Sequence, residues 1–295
     1  MRYDLVIIGS GAGLMVLEAA VKRGLNCAIV ENSKFGGTCL TKGCIPSKML
    51  VYPADLIRDI ESADRIGVKV GHPQVDWATV SRRMWEQIDY HKEIENFLQG
   101  VPNLAVYKGT ASFTGSDSAI VRYGDGKPDD VIHGEKFVIA AGARSQIPDV
   151  PGLEETGYIT SETFFGAKFP QKLWKSLAII GGGTITAEFA HIFSSFGTKV
   201  TIIGRSGRIL RKEEPEISEF ITKQFVKDGA NVLTDSSIER VFRKGNSKHI
   251  VTENRITKEK VTVECEEILV ASGVRSNGDS LALEKAGVET DKNGW

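Results

Sequence analysis

Residues 3–31 read YDLVIIGSGAGLMVLEAAVKRGLNCAIVE, and this stretch decides the fold. Tyr3 to Ile8 is a short apolar run with almost no polar alternation, the pattern of a strand buried on both faces of a parallel sheet. Gly9, Gly11 and Gly13 follow, then a helical stretch from Leu14 to Lys22. A second apolar strand, Cys27 to Val30, ends in Glu31, 22 residues after Gly9. Strand, glycine turn, helix, strand and acid in that order make a dinucleotide-binding unit. The turn lets a pyrophosphate reach the backbone at a helix N-terminus, and the carboxylate takes ribose hydroxyls. The sixth position of the G-x-G-x-x-G pattern is Leu14, so slightly wider helix–strand spacing is expected there. A glycine turn in an ordinary packed α/β domain is the competing reading of this motif taken alone.

A second copy makes that reading much harder to hold. The strand Leu177–Ile180 leads into Gly181-Gly182-Gly183, a helix from Ile185 to Phe196 and a strand Lys199–Ile203, with Thr186 at the sixth position. Two such units imply two nucleotides, one per domain. The second unit's strand ends not in an acid but in Gly204-Arg205, with Arg208 and Arg211 close behind. Arginine forks pair with a 2′-phosphate that a carboxylate would repel, which favours NADPH over NADH; a solvated basic turn is the alternative.

The segment GGTCLTKGCIPSK, residues 36–48, places Cys39 and Cys44 at the head of an amphipathic stretch running through Met49, Leu50, Tyr52, Leu56, Ile57 and Ile60. A thiol at a helix N-terminus feels the positive end of the backbone dipoles, which lowers its pKa and supplies thiolate. Ideal helix geometry separates Cα atoms five residues apart by roughly 8–9 Å, and a disulfide needs less than about 7 Å. A bridged pair therefore requires a distorted first turn, which Gly43 permits. Cys27 and Cys265 fall in apolar strands and read as buried small hydrophobes rather than zinc ligands.

The sequence resembles the class I pyridine nucleotide–disulfide oxidoreductases along its whole length. Besides GGTCLTKGCIPSK, the likeness rests on VIAAGARSQIP (138–148), YITSET (158–163), GGGTITAEFA (181–190) and LVASGVRSN (269–277). Thr41-Lys42 stands where the family usually has Asn-Val. Within the family, KMLVYPAD, AEFAHIFSSFG and GRSGRILR look most like mycothione reductase. The resemblance implies an α/β fold of two Rossmann-like domains, the second inserted in the first: an FAD-binding domain over 1–147 plus 270–295, incomplete at its C-terminus, and an NAD(P)-binding domain over 148–269. It implies FAD on Gly9, Gly11, Gly13, Glu31, Gly37, Thr38, Ala141, Gly142 and Gly273, and NADP (NAD possible) on Gly181, Gly183, Arg205 and Arg211. It also implies Cys44 as the thiolate next to the flavin, Cys39 as the outer thiol that attacks substrate, and Lys48 with Glu188 as a buried ion pair where hydride arrives. Thr184 takes the place of the residue at the nicotinamide gate.

The expected function is therefore an FAD-dependent NAD(P)H oxidoreductase acting on a small disulfide or dithiol, of the dihydrolipoamide dehydrogenase or mycothione reductase type. The alternatives are a mercuric-type metal reductase, for which extra C-terminal cysteines are wanting, and a catalytically incomplete flavin-binding fragment. The family pattern continues past Trp295 into a C-terminal dimerisation domain carrying a His–Glu acid/base pair. None of His72, His91, His133, His191 and His249 lies in that context, so low activity is expected of residues 1–295 alone, and a homodimer of the full-length protein.

Composition fits this reading. Of 295 residues, 31 are glycine, clustered in these turns, and 37 basic against 38 acidic residues leave a formal charge of −1. No basic half argues for nucleic acid or an anionic membrane, and no apolar run approaches the roughly 18–20 residues of a membrane span. The N-terminus enters its first strand directly, without a signal peptide, and four cysteines are too few for a disulfide scaffold, so a cytoplasmic location is expected. Asp76 to Gln99 reads as one long helix, with Trp77, Trp85, Tyr90 and His91 as packing or surface residues. Val106 to Ile139 reads as a small antiparallel meander turning at YGDGKPDD.

Overall fold

A computed structural model describes residues 1–124 and 126–295; Asp125 of the YGDGKPDD turn lies outside the described residues. The chain runs β1 (Arg2–Ile8), α1 (Gly13–Lys22), β2 (Cys27–Glu31), the short α2 (Gly37–Thr41), the long α3 (Cys44–Ser62), α4 (Trp77–Asp89) and α5 (His91–Gln99). Strands β3 (Leu104–Lys108), β4 (Thr110–Gly115), β5 (Ser118–Arg122), β6 (Asp130–Ile139) and β7 (Ala143–Ser145) follow. Two one-turn helices, α6 (Leu153–Thr156) and α7 (Ser161–Phe164), precede β8 (Ser176–Ile180), α8 (Thr184–Ser195), β9 (Lys199–Ile203), α9 (Pro215–Lys227) and β10 (Asn231–Leu233). The last strands are β11 (Ser236–Lys244), β12 (Ser247–Asn254), β13 (Lys260–Cys265), β14 (Glu267–Val270) and β15 (Val274–Ser276).

Contacts divide the chain into two units. The first comprises 1–45, 86–144 and 274–295. Its six-stranded sheet has the order β3-β2-β1-β6-β5-β4, parallel from β3 to β6 and antiparallel beyond. The expected meander is thus only half right: β3 extends the parallel sheet beside β2, and β6 returns to lie parallel to β1. Both β1 and β2 are covered on both faces, by Leu17, Ala20 and Phe35 on one and by Phe113, Val121 and Ile132 on the other. That double burial explains their unbroken apolar runs.

The second unit comprises 46–85 and 145–273. It holds the parallel sheet β10-β9-β8-β14 and the antiparallel sheet β11-β12-β13. Its ends fall close to the turns at 148–152 and 272–273 read from the sequence. The difference lies at 46–85, assigned to the first domain by sequence but packed with the second unit. Aromatic packing accounts for it: Trp77 stacks on Phe169 at 5.3 Å between centroids, and its indole N–H donates to the Pro170 carbonyl at 3.0 Å. Trp85 stands edge-on to Phe169, and Phe164, Phe165, Phe189, Phe193, Phe196 and Trp174 join the cluster.

The single helix expected over 76–99 is two helices. The Tyr90 N–H reaches back only to the Gln87 carbonyl, an i−3 bond that tightens the turn and ends α4. Such a turn leaves the same face apolar on either side, so the periodicity runs straight across it. His91, read as a packing or surface residue of that helix, opens α5 and is buried.

Candidate functional site

The two glycine turns are built alike. Gly9 has φ +100° and Gly181 φ +145°, both in the range that disfavours a side chain. A Cβ on Gly9 would lie 2.7 Å from the Ala140 carbonyl carbon, and one on Gly181 would lie 2.6 Å from that of Ala271. In each unit the glycine N–H bonds the end of the neighbouring strand, Val30 O at 2.8 Å or Ile203 O at 3.0 Å. The helices that follow, α1 and α8, have no side-chain cap and no acid in the first turn. Neither N-terminus thus carries a carboxylate of the chain's own, the arrangement that receives a phosphate.

The tight helix–strand packing expected to loosen at Leu14 occurs one position earlier. A Cβ on Gly13 would lie 2.6 Å from Ile7 Cγ2, whereas Leu14 packs into the cluster of Ile7, Leu17 and Phe35. In the second unit Thr186 takes the sixth position; it is fully buried and its hydroxyl has no hydrogen-bond partner.

Glu31 is buried, and its carboxylate braces the turn. Oε2 accepts from the Ser10 N–H at 2.9 Å and the Ser10 hydroxyl at 2.6 Å, and Oε1 accepts from the Ser33 N–H at 2.8 Å. Ser10 Oγ in turn accepts from the Gly36 N–H at 3.1 Å. This relay ties Gly9–Gly13 to the Gly36-Gly37-Thr38 loop, and it was not anticipated, since Ser10 occupies a position the motif leaves open. Oε1 still has acceptor capacity for a ribose hydroxyl. At the end of β6, Asn277 holds the Ala141 carbonyl through its side chain at 2.9 Å and the Gly142 carbonyl through its N–H at 3.1 Å. Gly142 has φ +69° and open space where a Cβ would stand. These cradles, lined by backbone and lacking side chains, fit a dinucleotide.

Cys39 and Cys44 are both exposed thiols. The expected distortion is present: α2 ends at Thr41, and α3 starts afresh at Cys44. Gly43 suits the break, because a Cβ there would lie 3.0 Å from the Thr38 carbonyl oxygen and press on the backbone of α2. The break brings the Cys39 thiol into a hydrogen bond with Cys44. That bond, with partial burial, pushes the Cys39 pKa up, although the N–H groups of Cys44 and Ile45 at the head of α3 pull the other way. The thiolate expected from the helix dipole is therefore opposed at Cys39 by its own partner thiol.

One turn beyond Cys44 on α3, Lys48 forms an ion pair with Glu188 of α8, as expected. The pair is not buried: the side chains are 58% and 37% exposed.

The arginine turn is folded back over the second glycine turn. Leu210, at φ +50°, donates its N–H to the Gly182 carbonyl at 2.6 Å. Arg208 is spent within the loop, donating to the Arg211 carbonyl at 3.1 Å. Arg205 and Arg211 are exposed. Gly273, at φ +132°, accepts the Gln146 N–H at 2.9 Å and thereby closes the strand connection.

Among the described residues no group of three or more His, Cys, Asp or Glu side chains is placed to hold a metal ion, and no helix is long and apolar enough to cross a membrane. The sequence profile described as pyridine nucleotide-disulphide oxidoreductase matches residues 3–295. A mercuric reductase of Lysinibacillus sphaericus is 34% identical over 99% of this chain and 52% of its own length. A dihydrolipoyl dehydrogenase of Bacillus subtilis is 32% identical over 98% of this chain and 62% of its own. The solved structure of the HOCl-induced flavoprotein disulfide reductase RclA from Escherichia coli, as its Cu(II) complex, superposes with a TM-score of 0.86 at 29% identity. That match covers 100% of this chain and 62% of RclA. The chain spans between about half and two thirds of the lengths of these relatives.

Proposed function

Because this chain belongs to the pyridine nucleotide-disulphide oxidoreductase family, we propose that it passes two electrons from NADPH, through bound FAD, to the Cys39–Cys44 pair and on to a small disulfide. The observation that carries the reading is the exposed, mutually hydrogen-bonded thiol pair at the head of the helix that bears Lys48. Members of the family are FAD-dependent, use a pyridine nucleotide and act on disulfides, commonly as homodimers.

FAD would be held by Gly9, Gly11, Gly13, Gly37, Thr38, Ala141 and Gly142, with Glu31 on a ribose; Gly273 is the further contact the resemblance implies. When bound, it supplies the two-electron relay between nicotinamide and dithiol. Gly181 and Gly183 take the nicotinamide nucleotide's pyrophosphate, and Arg205 and Arg211 its 2′-phosphate. The resemblance implies that Lys48 would supply positive charge where hydride arrives, with Glu188 as the partner that orients it. The Cys39 thiolate attacks one sulfur of the substrate disulfide and expels the other as a thiol. Cys44 then attacks Cys39 Sγ, releasing the second thiol and leaving the Cys39–Cys44 disulfide. Two thiols are oxidised and one substrate disulfide is reduced to two thiols. Run backwards, the same steps oxidise a dithiol such as dihydrolipoamide. The protein would work in the cytoplasm as a homodimer.

A second reading, reduction of a soft metal ion such as Hg(II), is favoured by one observation: two exposed thiols stand within hydrogen-bond reach of each other, a ready two-coordinate thiolate site. The test is a panel of lipoamide, glutathione disulfide, mycothione and Hg(II), each with NADPH and NADH. Turnover of a disulfide with NADPH is expected. Flavin that is retained but reduced without any thiol–disulfide exchange would leave only a nucleotide-binding role, and Hg(II) turnover alone would leave the second reading.

A further inference from the structure

Within the second unit, α3 and α8 are joined by a ladder of polar couples. Lys48 of α3 pairs with Glu188 of α8. Two turns further along α3, Asp55 Oδ1 lies 2.7 Å from His191 Nε2, three residues after Glu188. One turn beyond that, Arg58 donates from Nε to Ser195 Oγ at 2.9 Å and from its terminal nitrogen to Ser194 Oγ at 3.0 Å. Arg58 is itself steadied by Glu61 at 2.8 Å and lies 3.9 Å from Asp228 at the end of α9. The far end of the helix pair is thus fixed by several bonds to one guanidinium.

The near end is different. Lys48 and Glu188 are long, flexible and open to solvent, so their pairing costs side-chain freedom and competes with water. What keeps these two side chains opposed is the register of α3 against α8. The couple nearest to the ion pair that fixes this register is Asp55–His191.

We propose that Asp55 and His191 are positioning residues: their hydrogen bond aligns the Lys48–Glu188 pair and links it to the protonation of His191. The bond is neutral while the imidazole is neutral and charge-assisted once it is protonated. Protonation also sets a second cation one turn from Glu188, in competition with Lys48. The charged groups around the imidazole are Asp55, Arg58 and Lys48 of α3 and Glu188 of its own helix, with Asp228 beyond Arg58. The inference rests on reading Lys48–Glu188 as the pair that serves hydride transfer.

Histidine-ring NMR titration of the protein tests the link without any flavin, the His191 resonance being assigned by its loss in His191→Gln. Glu188→Gln should lower the His191 midpoint and Lys48→Met should raise it, each by about 0.2–0.4 pH unit, as befits charges one to two turns apart. Linkage makes the influence reciprocal. Midpoints unmoved in both variants would overturn the proposal. In the FAD-loaded protein, the pH profile of flavin reduction by NADPH should change shape in Asp55→Asn and His191→Phe. His191→Gln, whose amide N–H can still reach Asp55, should restore the rate while removing the limb due to His191. A lower melting temperature with an unchanged profile would make the couple a strut and nothing more, which also overturns it. Failure of the loaded wild type to accept hydride would instead strike at the proposed function, and the NMR titration would still decide the link.

Discussion

Gly37 and Gly11 lie backbone against backbone: a Cβ on Gly37 would come within 3.0 Å of the Gly11 nitrogen and nearer still to its Cα. Gly37 also holds φ +70°, which an L side chain resists. The loop before Cys39 and the first glycine turn can meet only without a methyl group between them.

Gly37→Ala should therefore cost about 2 kcal/mol or more, since it combines a positive φ with a clash against backbone that cannot rotate away. Thermal melting and retained flavin per chain measure this. An alanine variant of wild-type stability and flavin content would show that the loops are free to separate.

The hydrogen bond that the Cys39 thiol donates to Cys44 holds the Cys39 proton on, so Cys44→Ala should lower the Cys39 pKa, leaving the N–H groups at the head of α3 to favour the thiolate. Iodoacetamide should then alkylate Cys39 faster at neutral pH than in wild type. The sign for stability follows: a folded-state pKa raised above the unfolded value makes the reduced protein's thiol contribution complete below the unfolded pKa, and this contribution is lost as pH rises through the folded one. Slower alkylation of Cys39 in Cys44→Ala would reverse the account.

Arg205→Ala should raise the KM for NADPH by about one to two decades, the loss of a charge-assisted pair, and leave that for NADH nearly unmoved. Arg208→Ala should weaken both nicotinamides alike, because its guanidinium holds the loop's own carbonyls. Steady-state kinetics with each nucleotide separate the two. A wild type that prefers NADH would remove the assignment of Arg205 and Arg211.

The unpaired, fully buried hydroxyl of Thr186 costs free energy that the isosteric Thr186→Val would return. The gain should be about 1–3 kcal/mol, seen as a melting point several degrees higher with the second glycine turn intact. A lower melting point would mean that the hydroxyl has a partner, such as a buried water.

The parts of the site visible in the sequence are those whose cause is local. Gly9 and Gly181 follow apolar strands at a place the strand–turn–helix pattern marks, and both hold a positive φ there, although the carbonyls that crowd them, of Ala140 and Ala271, come from far along the chain. Cys39 and Cys44 carry their break with them in Gly43. Other features have no local cause. Residues 46–85 group with the second unit because Trp77 and Trp85 find Phe169, nearly a hundred residues away. Arg208 differs from Arg205 only through how the loop folds back on Gly182. Asp55 and His191 are 136 residues apart, and neither belongs to a motif. The raised Cys39 pKa escaped because the helix dipole is readable from spacing and the orientation of a neighbouring thiol is not.

The aromatic cluster of the second unit has an optical consequence. Of the chain's four tryptophans, Trp77, Trp85 and Trp174 all sit in it, while Trp295 is 57% exposed at the chain end. Indole emission therefore watches one unit from the inside and has only a solvent-facing lamp on the other. An unfolding curve followed by blue-shifted fluorescence would trace the second unit, and far-ultraviolet dichroism would trace both. Any gap between the two curves would measure how independently the halves of this molecule come apart.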